Sequence, residues 1–258
     1  MSTKPDLAVS TAGPANGRPI VFIHGIAQSR RVFDRLLDSS LADRYRMIAF
    51  DLRGHGDSTA AGAEFTRARL ADDLAAVIAP LDHPVLVPWS FGGVAVGEYL
   101  RAFGDGALGG LVYVAASVRT GRDAADLFGP GMMNHARALL SEDPAIYAAA
   151  ARAFVADASA APLARDLVTD SVAEMLRVRS DVRRPLLAGG EDYRPELTAT
   201  RVPIATIHGE LDQVVLPAMS DLVATCRSDV RAIRLAGVGH LPWLEAPSEF
   251  DAALAELL

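Results

Sequence analysis

The chain has 258 residues, which is long enough for one large domain with a substantial buried core. Half of the residues are hydrophobic, 22% are charged and the formal net charge is −7. This composition is ordinary for a globular protein, and it argues against a nucleic-acid partner, because phosphate binding needs clustered cations. No apolar run approaches the length of a membrane span, so no membrane partner is predicted.

The N-terminus and the cysteine content bear on the cellular compartment. The segment from Met1 to Asp6 contains no apolar stretch of the kind found in secretory signals. Cys226 is the only cysteine, so no internal disulfide can form, which fits a reducing compartment. We therefore predict a cytoplasmic protein.

Short apolar runs alternate with longer segments of helical spacing along most of the chain. The runs that predict strands are residues 20–23, 47–50, 85–87, 111–114, 204–207 and 232–235. Most are apolar at consecutive positions, which is typical of parallel strands covered on both faces. The intervening segments repeat apolar residues with the period of a helix. This alternation predicts an α/β fold with a doubly wound, mostly parallel sheet and right-handed crossovers.

One interval, residues 119–197, breaks this alternation. It contains no strand-like run, although apolar residues recur in it at helical spacing. A crossover needs only one helix, and the interval is too long and too apolar for a linker. We therefore predict a helical cap at 119–197, inserted into a core formed by residues 1–118 and 198–258.

The most informative motif follows the predicted strand at 85–87. The residues there are Pro88, Trp89, Ser90, Phe91, Gly92 and Gly93, and helix-like sequence continues from Val94. An apolar run that ends on a serine followed by glycines places the hydroxyl on a sharp strand-to-helix turn. The helix N-terminus directs free N–H groups at whatever the serine attacks. Ser90 is therefore the predicted nucleophile.

A serine hydroxyl needs a base, and the base needs an acid to orient it. His240 lies in a glycine-containing loop after the last predicted strand, and Asp212 lies just past the strand at 204–207. Both follow carboxyl ends of strands, where sites in open α/β sheets form. Ser90, Asp212 and His240 are the predicted triad, with Glu210 as a rival acid. The amides of Phe91 and Ile26 are the predicted oxyanion donors, because each follows a strand end in the same region.

These motifs together resemble the α/β-hydrolase superfamily, in particular its haloperoxidase- and esterase-like branch. The resemblance covers nearly the whole chain, with motifs at residues 24–25, 51–58, 89–93, 208–212 and 239–247. It implies the α/β-hydrolase fold, a serine nucleophile that needs neither cofactor nor metal, and Asp212 rather than Glu210 as the acid. One departure stands out, since Pro88 occupies a position that is usually glycine in the family. We expect a slightly reshaped turn that still presents Ser90.

The resemblance implies a serine hydrolase that cleaves a carboxylic ester or lactone of a small, largely apolar substrate through an acyl-enzyme. Perhydrolase or metal-free haloperoxidase activity on the same triad is an alternative, although such relatives often have proline where this chain has Ala27. Hydrolysis of a carbon–carbon bond is another, and Trp243 near His240 weakly favours it. A ligand-binding protein without turnover is the alternative of a different class. The sequence leaves the oligomeric state open.

Large apolar side chains near these motifs are candidates for the substrate pocket. Phe128, Met132 and Met133 lie in the predicted cap, Trp89 precedes the nucleophile and Trp243 follows the histidine. Pockets for small apolar substrates are lined mainly by such side chains. Packing in the core is the alternative interpretation, above all for Trp89.

Overall fold

A computed structural model describes residues 6–58 and 64–258. The strands are β1 (Val9–Ala12), β2 (Arg18–Ile23), β3 (Tyr45–Phe50), β4 (Val85–Pro88), β5 (Gly110–Val114), β6 (Ile204–Gly209) and β7 (Arg231–Leu235). They form one seven-stranded sheet in the order β1-β3-β2-β4-β5-β6-β7. Only β1 is antiparallel to its neighbour, so the predicted mostly parallel α/β sheet is confirmed. Most of the segment assessed for a signal, residues 1–5, lies outside the described residues.

The helices lie between these strands and after them. They are α1 (Asp34–Leu37), α2 (Arg67–Ile78), α3 (Gly92–Phe103), α4 (Pro130–Met133), α5 (Ala136–Leu139), α6 (Pro144–Asp157), α7 (Arg165–Arg177), α8 (Ser180–Leu187), α9 (Arg194–Ala199), α10 (Ala218–Ala224), α11 (Pro242–Glu245) and α12 (Pro247–Leu257). Short 3-10 helices occupy Arg30–Phe33, Ser40–Asp43 and Arg122–Leu127.

The central strands are buried along almost their whole length, because their side chains are apolar on both faces. Residues 20–23 of β2 and all of β4, β5 and β6 are buried. Strand β1 differs, since its side chains alternate between exposed and half-buried positions and it contains no apolar run. That is why the sequence pattern did not predict it. The carboxyl ends of β2, β4, β6 and β7 lie at one edge of the sheet, and the candidate site residues follow them.

The segment between β5 and β6 contains α4 to α9 and contacts the rest of the chain through several hydrogen bonds. The Arg177 side chain in α7 donates from Nη2 to the carbonyl of Gly56, at 2.8 Å. The Gln28 amide donates to the carbonyl of Ser171, at 3.3 Å. The N–H of His240 donates to the carbonyl of Ala158, at 2.8 Å. Helices from this segment therefore lie over the edge of the sheet that carries the candidate site.

Candidate active site

Ser90 occupies the sharp turn between β4 and α3. Its φ is 53°, in the left-handed region that non-glycine residues rarely adopt. Helix α3 begins close to the neighbouring backbone, since a Cβ on Gly92 would lie 2.4 Å from the carbonyl oxygen of Ile23. A Cβ on Gly93 would lie equally close, 2.4 Å, to the carbonyl oxygen of Ser117. The two glycines are therefore required for this turn, which holds Ser90 in a strained conformation typical of functional sites.

Pro88 fits the last position of β4 at the expense of pairing with β5. The N–H of Trp89 donates to the carbonyl of Ile23 in β2, so the N–H of residue 88 would face β5. Proline has no N–H. The β4–β5 ladder accordingly pairs Val85 and Leu86 and resumes only as an isolated bridge between Trp89 and Val114. With proline at position 88, the backbone before Ser90 remains hydrogen-bonded to β2.

Asp212 and His240 form a buried pair. The Nδ1–H of His240 donates to Oδ2 of Asp212 at 2.7 Å, and neither side chain is more than 1% exposed. The other carboxylate oxygen, Oδ1, accepts the N–H groups of Val214 at 2.8 Å and Val215 at 3.1 Å. These two bonds fix the carboxylate, and the carboxylate in turn fixes the orientation and the tautomer of the imidazole.

A second histidine contacts the same carboxylate. Nε2 of His208 lies 3.1 Å from Oδ2 of Asp212, while its Nδ1 lies 2.7 Å from the Ser220 hydroxyl. Burial raises the pKa of Asp212, but the charge of His240 and the hydrogen bonds from His208 and His240 outweigh it, so the pKa is lowered. Asp212 therefore remains a carboxylate. Apart from the four-residue spacing between His208 and Asp212, nothing in the sequence indicates this contact.

The other imidazole nitrogen of His240, Nε2, is buried and has no hydrogen-bond partner among the described residues. The ring packs against Trp89, the residue before Ser90, at a centroid distance of 5.3 Å. The Trp89 indole N–H donates to the His240 carbonyl at 2.9 Å. His240 is therefore held beside the turn that presents Ser90, and its Nε2 is left without a partner among the described residues.

Glu245 orders the loop that carries His240. Its Oε2 accepts the N–H of Gly239 at 2.9 Å and that of Ala160 at 2.8 Å, and its Oε1 accepts the N–H of Leu241 at 3.0 Å. One carboxylate thus satisfies the backbone on both sides of the histidine and also binds the segment between β5 and β6. The sequence motif contains Glu245 but does not reveal which donors it binds.

The predicted oxyanion donors lie beside Ser90 in one cavity, which Ile26, Ser90 and Phe91 all line. Neither the Ile26 N–H nor the Phe91 N–H has a hydrogen-bond partner within the described part of the chain. Ile26 lies in a turn closed by the Gln28 N–H, which donates to the Gly25 carbonyl at 3.3 Å. Two unpaired N–H groups next to a serine suit a developing negative charge.

The cavity above Ser90 has a volume of about 610 Å³. Phe128, Met132 and Met133 line it, together with Phe154, which the sequence did not single out. Its volume lies within the range of small-molecule sites, and its lining is mainly apolar. Three of the predicted pocket residues therefore lie in one cavity with Ser90.

Trp89 and Trp243 are not part of this lining, which corrects the sequence-based expectation. Trp89 is 5% exposed and Trp243 is 2% exposed. Their rings meet edge to face at 5.1 Å, and Trp243 packs on Phe33 at the same centroid distance, 5.1 Å. The Trp243 indole N–H donates to the carbonyl of Val32 at 2.8 Å. Both indoles belong to the core below the site because each finds aromatic neighbours and a backbone acceptor there.

A family model described as the alpha/beta hydrolase family matches residues 20–253. The chain belongs to the α/β-hydrolase family. Esterase RhEst1 from Rhodococcus sp. ECU1013 superposes with a TM-score of 0.87 at 30% identity, over 97% of this chain and 93% of that one. A pimeloyl-[acyl-carrier protein] methyl ester esterase from Aeromonas hydrophila is 27% identical, over 95% of this chain and 96% of that protein.

A non-heme haloperoxidase from Rhodococcus erythropolis is 38% identical over 103 residues, 39% of this α/β-hydrolase and 38% of that protein. These relatives place the chain in the haloperoxidase- and esterase-like branch. The esterases among them support an ester-cleaving hydrolase. Across the described part of this α/β-hydrolase, no helix is long and apolar enough to cross a bilayer. Within the same residues, no cluster of three or more His, Cys, Asp and Glu side chains is arranged to hold a metal.

Two further histidines of this α/β-hydrolase are buried without charge below the site. Burial lowers the pKa of His24 to about 4, and burial together with the neighbouring His24 lowers the pKa of His55 to about 3. Their rings lie 5.2 Å apart. Nε2 of His24 accepts the Leu52 N–H at 3.0 Å, and this hydrogen bond requires the neutral imidazole.

These histidines predict a loss of stability in mild acid. In the unfolded chain a histidine has a pKa near 6.5. Between pH 6.5 and 4 the unfolded state therefore binds more protons than the folded state. The free energy of unfolding consequently decreases as the pH falls through this range. From pH 7 to 5 each histidine should lower the free energy of unfolding by about 2 kcal/mol. Urea unfolding at both pH values checks this. His55→Phe should reduce the dependence of the free energy of unfolding on pH, because it removes a buried histidine of lowered pKa. An unchanged pH dependence in this variant would contradict the assignment.

Proposed function

We propose that this hydrolase cleaves a carboxylic ester or lactone of a small, largely apolar substrate through an acyl-enzyme. Ser90 attacks the carbonyl carbon, and Nε2 of His240 takes the hydroxyl proton and returns it to the leaving group. Asp212 orients the imidazole and stabilises the imidazolium. The N–H groups of Ile26 and Phe91 hold the oxyanion, and water then releases the acid.

The observation that carries this proposal is the buried Asp212–His240 pair with a free Nε2 beside the strained Ser90 turn. Esters of p-nitrophenol and lactones of increasing acyl length test it, with labelling of the protein by a fluorophosphonate in parallel. We expect hydrolysis and a single label on Ser90. A protein that binds ligands without turnover would hydrolyse none of the panel and would not be labelled.

Backbone geometry favours this proposal over a perhydrolase. Ala27 follows the oxyanion residue Ile26 and has a φ of 57°. Proline, which often stands at this position in perhydrolase-type relatives, is fixed near a φ of about −65° and cannot adopt this turn. The carbon–carbon hydrolase alternative loses its support as well, because Trp243 lies in the core and does not line the cavity.

The helices at 119–197 act in this proposal as the cap of a core formed by residues 1–118 and 198–258. The cavity supports this division, since both parts of the chain contribute to its lining, the core through Ser90 and the segment 119–197 through Phe128, Met132 and Phe154. Such a cap excludes water and contacts the acyl group, so its side chains set the length of acyl group that is accepted.

Met132→Ala should therefore change selectivity for acyl length. Removing this side chain enlarges the cavity, so the ratio of kcat/KM for octanoyl to acetyl p-nitrophenyl esters should rise about tenfold. Met133→Ala is the matched comparison, and it should change the ratio less because Met133 is 51% exposed. A ratio that is unchanged in both variants would remove these methionines from the acyl-binding surface.

A further inference from the structure

The lining of the active-site cavity has an unusual balance of charge. Most of its side chains are apolar, but it includes Arg67 and Arg122 and no aspartate or glutamate. The chain as a whole carries a formal net charge of −7. Two cations and no acid at the substrate cavity of an acidic protein favour a substrate with a negative charge.

Neither arginine is neutralised within the described residues. Arg67 donates from Nε to the Leu186 carbonyl at 2.9 Å and from Nη1 to the Thr120 hydroxyl at 3.4 Å, and neither acceptor is charged. The Arg122 side chain has no hydrogen bond or ion pair with any described residue. The segments outside the described residues, 1–5 and 59–63, contain no Asp or Glu, so their side chains cannot supply the missing carboxylate.

Several other arginines of the chain bind acids, whereas the two in the cavity lining do not. Arg101 contacts Glu191 at 2.9 Å and Glu196 at 2.7 Å, and Arg53 contacts Asp73 at 2.7 Å. Guanidinium groups that line a cavity and lack an acid are suited to a carboxylate, which can accept two parallel N–H bonds from one fork.

The two arginines belong to one wall of the cavity. Arg67 bonds to Thr120, and Thr120 and Arg122 are near neighbours in the chain, so the three residues form a polar wall. Phe128, Met132 and Phe154 provide apolar surface in the same cavity, and Arg122 is exposed, so this polar wall reaches solvent. A substrate that matches both surfaces has an apolar chain with a carboxylate at its solvent end.

We propose that the enzyme prefers esters whose acyl chain ends in a carboxylate, the half-esters of linear dicarboxylic acids, and that Arg67 and Arg122 bind this carboxylate. This proposal rests on the proposed ester-cleaving function. The arginines act on substrate selection and take no part in breaking the ester bond. The attraction also predicts a preference that weakens as salt is added, because partly exposed charges are screened.

Monomethyl suberate and methyl octanoate form the matched pair of substrates, since they differ chiefly in the terminal carboxylate. We expect wild-type kcat/KM to favour the half-ester by about tenfold at low ionic strength and by less in 0.5 M NaCl (about a 4 Å screening length). Arg122→Gln and Arg67→Gln should each lower this ratio by about tenfold, and Arg122→Lys, which keeps the charge but has no planar fork, should retain only part of it.

Arg152→Gln is the control, because Arg152 is an exposed arginine of α6 outside the cavity lining and bonds only to the Ala148 carbonyl of its own helix. Arg122→Gln keeps the test valid if Arg67→Gln fails to fold, since the Arg122 side chain makes no hydrogen bond in the described chain. A wild-type enzyme that hydrolyses p-nitrophenyl esters without preferring the half-ester overturns this proposal and leaves the proposed function intact. Absence of all ester hydrolysis and of fluorophosphonate labelling overturns both.

Discussion

Ser90→Ala should lower the rate of ester hydrolysis by a factor on the order of 10⁶, the usual effect of removing a triad nucleophile. The change deletes one hydroxyl from a residue that is 9% exposed and keeps the Cβ, so the turn retains its backbone contacts. In particular, the Ser117 N–H still donates to the Ser90 carbonyl, at 2.9 Å in the present structure. Steady-state kinetics with a p-nitrophenyl ester measure the loss of activity. Thermal unfolding of the same sample checks that the fold is retained.

Ser117→Ala is the matched comparison, because Ser117 lines the same cavity and is also buried. Unlike Ser90, Ser117 does not adopt a positive φ. We therefore expect the loss of its hydroxyl to lower the rate by less than about tenfold, the effect of a single binding contact. If Ser117→Ala abolished hydrolysis while Ser90→Ala kept it, with both variants folded, the assignment of the nucleophile would be wrong.

The parallel sheet could be predicted from sequence because its strands are marked by consecutive apolar residues. Strands β2 and β4 show such runs, and each ends within three residues of a candidate site residue, Ile26 and Ser90 respectively. The edge strand β1 shows none, since pairing on one side with β3 requires only a half-buried alternation. The local sequence pattern therefore predicts the buried central strands of the sheet but not its partly exposed edge strand.

Contacts that join distant parts of the chain could not be predicted in the same way. Glu245 binds the N–H of Ala160, and the Trp89 indole binds the His240 carbonyl, across 85 and 151 residues respectively. No periodicity encodes such pairs, because they depend on how the loops pack against one another. Trp89 illustrates the consequence, since its large apolar ring suited a pocket and the core equally well until its neighbours were known.

The charge of the cavity was missed for the same reason. Arg67 lies in the first turn of α2, and Arg122 begins a 3-10 helix after β5. In the sequence both are ordinary arginines of a chain rich in ion pairs. Only the fold shows that they line one cavity without an acidic partner.

Asp212→Asn should lower kcat by about 10⁴, because the histidine would adopt the wrong tautomer. Oδ1 of Asp212 accepts two backbone N–H groups and Oδ2 accepts the Nδ1–H of His240, so an amide has only one oxygen for these two groups of donors. If the amide NH₂ faces His240, the proton moves to Nε2 and the base is lost. If it faces the backbone, two buried donors lose their acceptor and the fold is destabilised.

Glu210→Gln separates the two acids that the sequence offered. Glu210 is exposed, and its backbone N–H donates to the Leu235 carbonyl at 3.0 Å, a bond that the substitution keeps. We expect kcat within about twofold of the wild type, as for a surface change that removes no contact with the site. If the two variants exchanged these outcomes, Glu210 would be the orienting acid, and the hydrogen bond between Asp212 and His240 would be structural.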